Sequence, residues 1–191
     1  MLASILNIHK DESGLKFPAK FAPTQIVLVP IFAKGNKEDV LKYCRGIKEK
    51  LVQFRVVLDE SDKTPGEKFY YWEKRGAMLR IEAGPRDIEN NEVVVVRRDT
   101  RKKEKIKMAE LTSEKISEIF KDMDKNLREM AAKKFNEVIF TAGGIDEVKN
   151  LAGKGIITVG LCEKEECRNE IENYVSVLGV EEKEEKCVVC G

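Results

Sequence analysis

Residues 24–32 read TQIVLVPIF, an apolar run of strand length that carries no charge. Without polar alternation, such a run needs cover on both faces, which places it at the centre of a sheet rather than on a half-solvated edge. The next segment agrees. Across residues 37–51 the apolar positions Val40, Leu41, Cys44, Ile47 and Leu51 recur at three- and four-residue spacing, predicting a helix with one buried stripe and lysines opposite. Residues 54–58 then read as a second strand, and strand, crossover helix, strand predicts a parallel pair. The expected fold class is α/β, a mixed β-sheet flanked by helices, followed by a small α+β unit.

Residues 67–75 are helix-compatible and aromatic (Phe69, Tyr70, Tyr71, Trp72), with Gly76 as the stop. Tyr70 and Trp72 are expected to pack inward. Residues 78–82 alternate, so Leu79 and Ile81 face one way and Met78, Arg80 and Glu82 the other. Residues 84–87 (GPRD) turn the chain, residues 92–98 supply a valine strand, and the basic residues 101–107 fit an edge strand. One long helix is expected over residues 112–138, its stripe running Ile116, Ile119, Phe120, Met123, Leu127, Met130, Phe135. A strand follows at 156–161 and a last helix at 167–178. Leu2, Ile5 and Leu6 form a short amphipathic run at the N-terminus, and residues 181–186 read as a solvated loop. The expected division is 1–22 as an entry segment, 23–111 as a first domain and 112–191 as a second.

Charge narrows the function classes. Charged residues make up 36% of the chain, but 35 basic and 34 acidic side chains nearly cancel, so no global basic field points to nucleic acid and partners must be argued from local patches. So dense a mixture resembles the ion-pair networks of proteins from hot environments. No apolar stretch approaches the ~20 residues of a membrane span, and no signal-peptide pattern opens the chain, so a cytoplasmic protein with no membrane partner is expected. The single histidine, His9, leaves little material for imidazole catalysis.

Four of the five cysteines lie in the last 30 residues, as Cys162-x4-Cys167 and Cys187-x2-Cys190. Two thiolate pairs on short loops suit a tetrahedral Zn²⁺ site that stabilises a segment with little core of its own. Four protein ligands would leave no open position, so such a metal is structural. Two disulfides or four reduced thiols are the alternatives, the first disfavoured in the cytoplasm. Cys44, on the apolar stripe, reads as a core thiol.

Residues 64–87 gather groups suited to single-stranded bases: Lys68, Phe69, Arg80, Glu82, Arg86 and Asp87, between the turn residues Pro65, Gly66, Gly84 and Pro85. Guanine sets an acceptor, O6, beside two donors, and an arginine with a carboxylate on one strand face complements it. The same pattern also fits a solvated strand face with an ion pair.

These residues resemble a family, prolyl-tRNA synthetase in its archaeal and eukaryotic form, also found in some bacteria. The resemblance is carried by Gly14-Leu15-Lys16-Phe17-Pro18 with Ala22-Pro23, by Gln25 to Ile31, and above all by Thr64-Pro65-Gly66-Glu67-Lys68-Phe69, Trp72-Glu73, Gly76, Leu79-Arg80-Ile81-Glu82 and Gly84-Pro85-Arg86-Asp87. The cysteine pairs match the zinc-binding C-terminal domain of the same enzymes. Residues 23–111 then look like the anticodon-binding domain shared by several class II synthetases, and 112–191 like the zinc-binding domain. The resemblance implies that Lys68, Phe69, Glu73, Arg80, Glu82, Arg86 and Asp87 bind the anticodon of tRNA-Pro, reading its two guanines, with Glu82 either touching a base or orienting Arg80.

It also implies a parent enzyme, proline--tRNA ligase, that uses ATP and Mg²⁺ and works as a homodimer. Residues 1–22 look like the tail of its catalytic domain and a linker. The catalytic motifs are not in this sequence, so the chain is read as a C-terminal half with no catalytic residues, inactive alone and partnered by its own catalytic domain. The competing expectation is a stand-alone zinc-containing module that binds protein or RNA; a zinc-ribbon DNA binder is weakened by the near-zero net charge.

Overall fold

The computed structural model describes residues 7, 9–33, 35–180 and 185–191. Leu2, Ile5, Leu6 and residues 181–184 of the expected loop lie outside the described residues. The chain divides into two compact units, Met1–Arg128 and Glu129–Gly191.

The first unit opens with a short antiparallel hairpin, β1 (Lys10–Asp11) and β2 (Gly14–Leu15). It continues through β3 (Ile26–Pro30), α1 (Lys37–Lys50), β4 (Val56–Leu58), α2 (Pro65–Lys74), β5 (Leu79–Ala83), α3 (Pro85–Glu89), β6 (Glu92–Arg97) and β7 (Lys103–Lys107). Helix α4 (Ser113–Asn136) follows, and its first half belongs here. The five main strands form one mixed sheet in the order β4-β3-β5-β6-β7. As the crossover helix required, β3 and β4 are parallel, and β3 and β5 are also parallel. The remaining pairings, β5 with β6 and β6 with β7, are antiparallel.

Strand parity sorts the sheet into two faces. Ile26, Leu28, Leu79, Ile81, Val93, Val95 and Ile106 share one face and pack against Ile47 and Leu51 of α1 and Ile116, Phe120 and Met123 of α4. Val27 pairs with Arg80, Arg80 with Val96, and Val96 with Lys103, so these four form a row across the opposite face. Val29, Glu82, Val94 and Lys105 form the adjacent row. Met78 departs from the expected alternation: it precedes β5, is free of the strand's period, and joins the main core with Leu79.

Helix α2 covers part of that second face. Its start is set by Thr64, whose Oγ1 accepts from Glu67 N while Glu67 Oε2 accepts from Thr64 N. Its end is a left-handed Gly76 (φ +77°), with Gly76 N donating to Glu73 O and Ala77 N to Trp72 O. Phe69 and Trp72 pack on Val27, Val29 and Ala77. Tyr70, expected inside, is 63% exposed, because its position on the helix falls opposite the sheet. Cys44 is buried among Val40 and Ala83, and burial pushes its thiol up to about 12.

The stripe on α4 also ends sooner than its periodicity suggests. Ile116, Phe120 and Met123 are buried, but Phe135 is 55% exposed. Amphipathic spacing reports a helix's own face, not how far the partner surface extends. The second unit takes the end of α4, β8 (Ile139–Ala142), α5 (Ile145–Leu151), β9 (Ile156–Val159) and α6 (Glu165–Glu172), the last ending before the expected Leu178. Strands β8 and β9 are parallel, joined by the α5 crossover, and their core is Ala142, Val148 and Ile171 with Leu151, Ile157 and Val159 around them.

Buried carboxylates tie the first unit together. Asp99, 1% exposed at its side chain, accepts from Arg97 Nη2 at 2.7 Å and from Asn126 Nδ2 at 2.8 Å, linking the β6–β7 turn to α4. Burial alone would raise its carboxyl, but these donors outweigh that and hold it below the ordinary value. A depressed folded pKa stabilises fully above the unfolded value, about 3.9, and the gain is lost as pH falls through the folded one. In urea titrations, Asp99→Asn is expected to be less stable than the parent at pH 7, with the gap narrowing steadily below about pH 4. A gap that stays constant down to pH 2 would contradict this linkage.

Candidate nucleic-acid interface and metal centre

The central side chain is Arg80 on β5. Its Nε donates to Glu82 Oε1 at 2.9 Å, and its Nη1 donates to Glu73 Oε1, in the last turn of α2, at 2.7 Å. The guanidinium lies over the Phe69 ring, 3.8 Å from its centroid. Period two along β5 brings Arg80 beside Glu82, while the four-residue step from Phe69 to Glu73 sets both on the α2 face above them. The expectation of an open strand face is corrected here: Arg80 is 8% and Glu82 6% exposed, because α2 lies over them.

What stays accessible is defined atom by atom. Among the described residues no buried side-chain nitrogen or oxygen lacks a hydrogen-bond partner. Among the described residues Arg80 Nη2 and the Oε2 atoms of Glu73 and Glu82 have no hydrogen-bond partner, and none of the three is fully buried. A guanidinium donor beside one of these carboxylate oxygens is a donor–acceptor pair that complements O6 and N1–H of guanine. With the donor set opposite O6 and the carboxylate opposite N1–H, adenine, which reverses both positions, mismatches the pair. A narrow cleft beside Arg80 is lined by Trp72, Glu73, Arg97 and Arg98.

The other expected site residues fall in different places. Lys68 is 1% exposed; its Nζ donates to Asp59 O at 2.9 Å and sits 3.9 Å from Asp59 Oδ1, so its charge is spent inside the fold. Asp59 also accepts from Trp72 Nε1 at 2.7 Å, which orients the indole above the sheet. Asp87 Oδ2 accepts from Gly84 N at 2.9 Å and so closes the turn into α3, while Arg86 beside it is exposed and its guanidinium has no partner among the described residues. Sequence reasoning missed a lysine stripe. Lys103, Lys105 and Lys107 alternate along β7 on the Arg80 side of the sheet, all three side chains exposed, with Lys103 Nζ 3.9 Å from Glu82 Oε1. Their period-two spacing was the available signal. Lys105 and Lys107 hold Glu92 at 2.7 and 3.1 Å and depress its carboxyl.

In the second unit all four expected cysteines converge. The sulfurs of Cys162, Cys167, Cys187 and Cys190 lie within 4.8 Å of one another, and Cys162 Sγ is 3.8 Å from Cys190 Sγ. All are free thiols, so the disulfide alternative falls away. A tetrahedral thiolate site with bonds of about 2.3 Å separates its sulfurs by about 3.8 Å, so the donor set fits a closed metal site. Gly160 lets the two cysteine loops meet: a Cβ there would stand 2.2 Å from Lys186 O, and Val188 N donates to Gly160 O. Burial raises the Cys187 thiol, but backbone N–H groups of Cys162, Cys190 and Val189 overcome it and bring it down to about 6. Cys167 is pushed up to about 12 by hydrogen bonding to Cys162 and by burial. N–H groups aimed at a sulfur favour thiolate, the form a metal takes.

Residues 25–119 match the family described as "Anticodon binding domain", and the first unit is a domain of that class. Over its full length the chain is 37% identical to a proline--tRNA ligase of Methanosarcina mazei, 38% to that of Archaeoglobus fulgidus and 40% to that of Pyrococcus abyssi, spanning 41%, 42% and 42% of those proteins. The chain belongs to the proline--tRNA ligase family and carries its anticodon-binding part, about two fifths of the length of these relatives. No helix among the described residues is long and apolar enough to cross a membrane.

Lys68 separates a structural from an RNA-contacting role. Lys68→Met is expected to cost about 3 to 5 kcal/mol in urea unfolding, because Asp59 loses its buried cation. At matched folded fraction it should leave the salt dependence of RNA binding unchanged, where loss of a phosphate contact would shift the slope by about one.

Proposed function

We propose that this chain binds the anticodon loop of tRNA-Pro and reads its two guanines through the Arg80 guanidinium set between Glu73 and Glu82. The observation that carries this reading is an unengaged donor, Arg80 Nη2, next to unengaged carboxylate oxygens of Glu73 and Glu82: a donor opposite O6 and an acceptor opposite N1–H complement guanine, and adenine reverses both. Phe69 acts first as the platform that fixes the guanidinium plane. Arg86 is the exposed cation next to the site, suited to a phosphate or a second base, and Asp87 positions it by closing the turn it stands on. Glu82 both orients Arg80 and offers an acceptor. The lysines of β7 supply electrostatic attraction along the same face.

In functional terms residues 1–22 are read as linker, 23–111 as the anticodon-binding domain and 112–191 as a structural metal-binding domain, with the first half of α4 packed on the anticodon-binding core. Cys162, Cys167, Cys187 and Cys190 would hold Zn²⁺; a closed four-thiolate site supplies folding free energy and no catalysis. The parent is read as a cytoplasmic homodimer that joins proline to its tRNA with ATP and Mg²⁺, chemistry that belongs to a catalytic domain outside this chain.

Binding is tested with anticodon stem-loops at fixed salt. Loops with both guanines are expected to bind more tightly than loops with either replaced by adenine, and Arg80→Ala should remove about 1 to 3 kcal/mol of that discrimination. Equal binding of all loops by the parent chain would refute the reading. Protein purified without chelators is expected to contain one zinc per chain by elemental analysis. Zinc removal should raise amide exchange in residues 155–191 and leave 23–111 protected; metal-free protein with a protected C-terminal segment would count against the site.

A further inference from the structure

Arg80 is held by Glu73, and Glu73 is itself held from behind. Its backbone carbonyl accepts a hydrogen bond from Arg98 Nε at 3.3 Å. The rest of the Arg98 guanidinium grips Asp11 in the hairpin, Nη2 to Oδ1 at 2.6 Å and Nη1 to Oδ2 at 3.0 Å, and Arg98 is buried. Asp11 Oδ1 accepts also from Ser13 N at 2.9 Å, so the carboxylate that binds Arg98 shapes the hairpin turn as well. Lys16 Nζ lies 3.4 Å from Asp11 Oδ2.

The turn then meets Glu73 directly. Gly14 has φ +133°, and a Cβ on it would stand 2.3 Å from Lys74 Cα and 2.8 Å from Glu73 O. The peptide between Glu73 and Lys74 is thus confined between the hairpin and Arg98. Its side-chain end is the carboxylate on which Arg80 is hung.

We infer that Asp11, Gly14 and Arg98 are positioning residues: the hairpin ahead of the sheet sets the placement of Glu73, and through it the donor edge that Arg80 presents to guanine. This rests on the guanine reading above. None of the three needs to touch RNA. The bidentate Asp11–Arg98 pair is geometrically demanding, since both donors of one fork must meet both oxygens of one carboxylate. It is also charge-locked, because Arg98 holds the Asp11 carboxyl far below the usual carboxylate range. A displacement of the hairpin therefore moves the end of α2 rather than being absorbed by a loose contact. Recognition sites depend on such support, because a donor misplaced by about an ångström loses its selectivity before it loses its charge.

The test uses the whole chain and the ratio of affinities for guanine- and adenine-substituted stem-loops, alongside urea midpoints. Asp11→Asn, which keeps the volume but weakens the pair, is expected to lower that ratio about threefold to tenfold, the lower part of the range of coupling between contacting groups. The slope of binding against salt should not change, because no phosphate contact is removed. Arg98→Lys, which keeps the charge and loses the fork, should act alike, and serves if Asp11→Asn does not fold. Combining Asp11→Asn with Glu73→Gln should give no further loss beyond Glu73→Gln alone, as both act on one carboxylate.

A purely structural hairpin gives a different pattern: lower urea midpoints for Asp11→Asn and Arg98→Lys with an unchanged ratio. That result overturns the proposal and leaves the guanine reading standing, provided Arg80→Ala lowers the discrimination as expected above. If Arg80→Ala also leaves the ratio unchanged, the reading and the proposal fall together.

Discussion

A guanidinium almost wholly enclosed by protein, with a carboxylate on each of two edges and an aromatic ring beneath it, organises the first unit of this molecule. An arginine cannot shed its proton, so burying it requires compensation from every side. Glu73, Glu82 and Phe69 provide that compensation and, in doing so, leave a single nitrogen without a partner among the described residues. Burial is what fixes the direction of this arginine. A solvated arginine would meet any acceptor with many rotamers, whereas one fixed on three sides presents a donor in one direction.

The sheet exists to hold that arrangement. Its inner face is a conventional aliphatic core shared with α1 and α4, and its other face carries Arg80 and Glu82 between the valines of β3 and β6. Helix α2 is fastened over this face by the Asp59 cluster, which engages both Lys68 and Trp72, and by the Gly76 stop that returns the chain into β5. The helix that covers the site is thus one of its walls.

The second unit solves a different problem. With a two-strand sheet and two short helices, it has a modest core, and its C-terminal residues converge at four sulfurs while Val188 and Val189 pack on that core. Thiolate donors supported by backbone N–H groups suit a metal whose binding free energy replaces missing apolar burial. The close approach permitted at Gly160 brings together two loops that are far apart in the chain.

Periodicity in the amino-acid order determined the strands, the crossover helix, the parallel pairing and the parity that sets Arg80 beside Glu82, because side-chain direction along a strand or helix is a local property. Cysteine spacing likewise determined which residues would cluster. Only the tertiary structure decided depth: that Lys68 is an internal cation while Tyr70 faces out, that Arg80 is enclosed with two of its three nitrogens engaged, that the apolar stripe of α4 outruns its partner, and that Asp11 and Arg98, separated by most of a domain in sequence, meet behind Glu73. Depth depends on which element lies over which, and that is settled by long-range packing that no local pattern encodes.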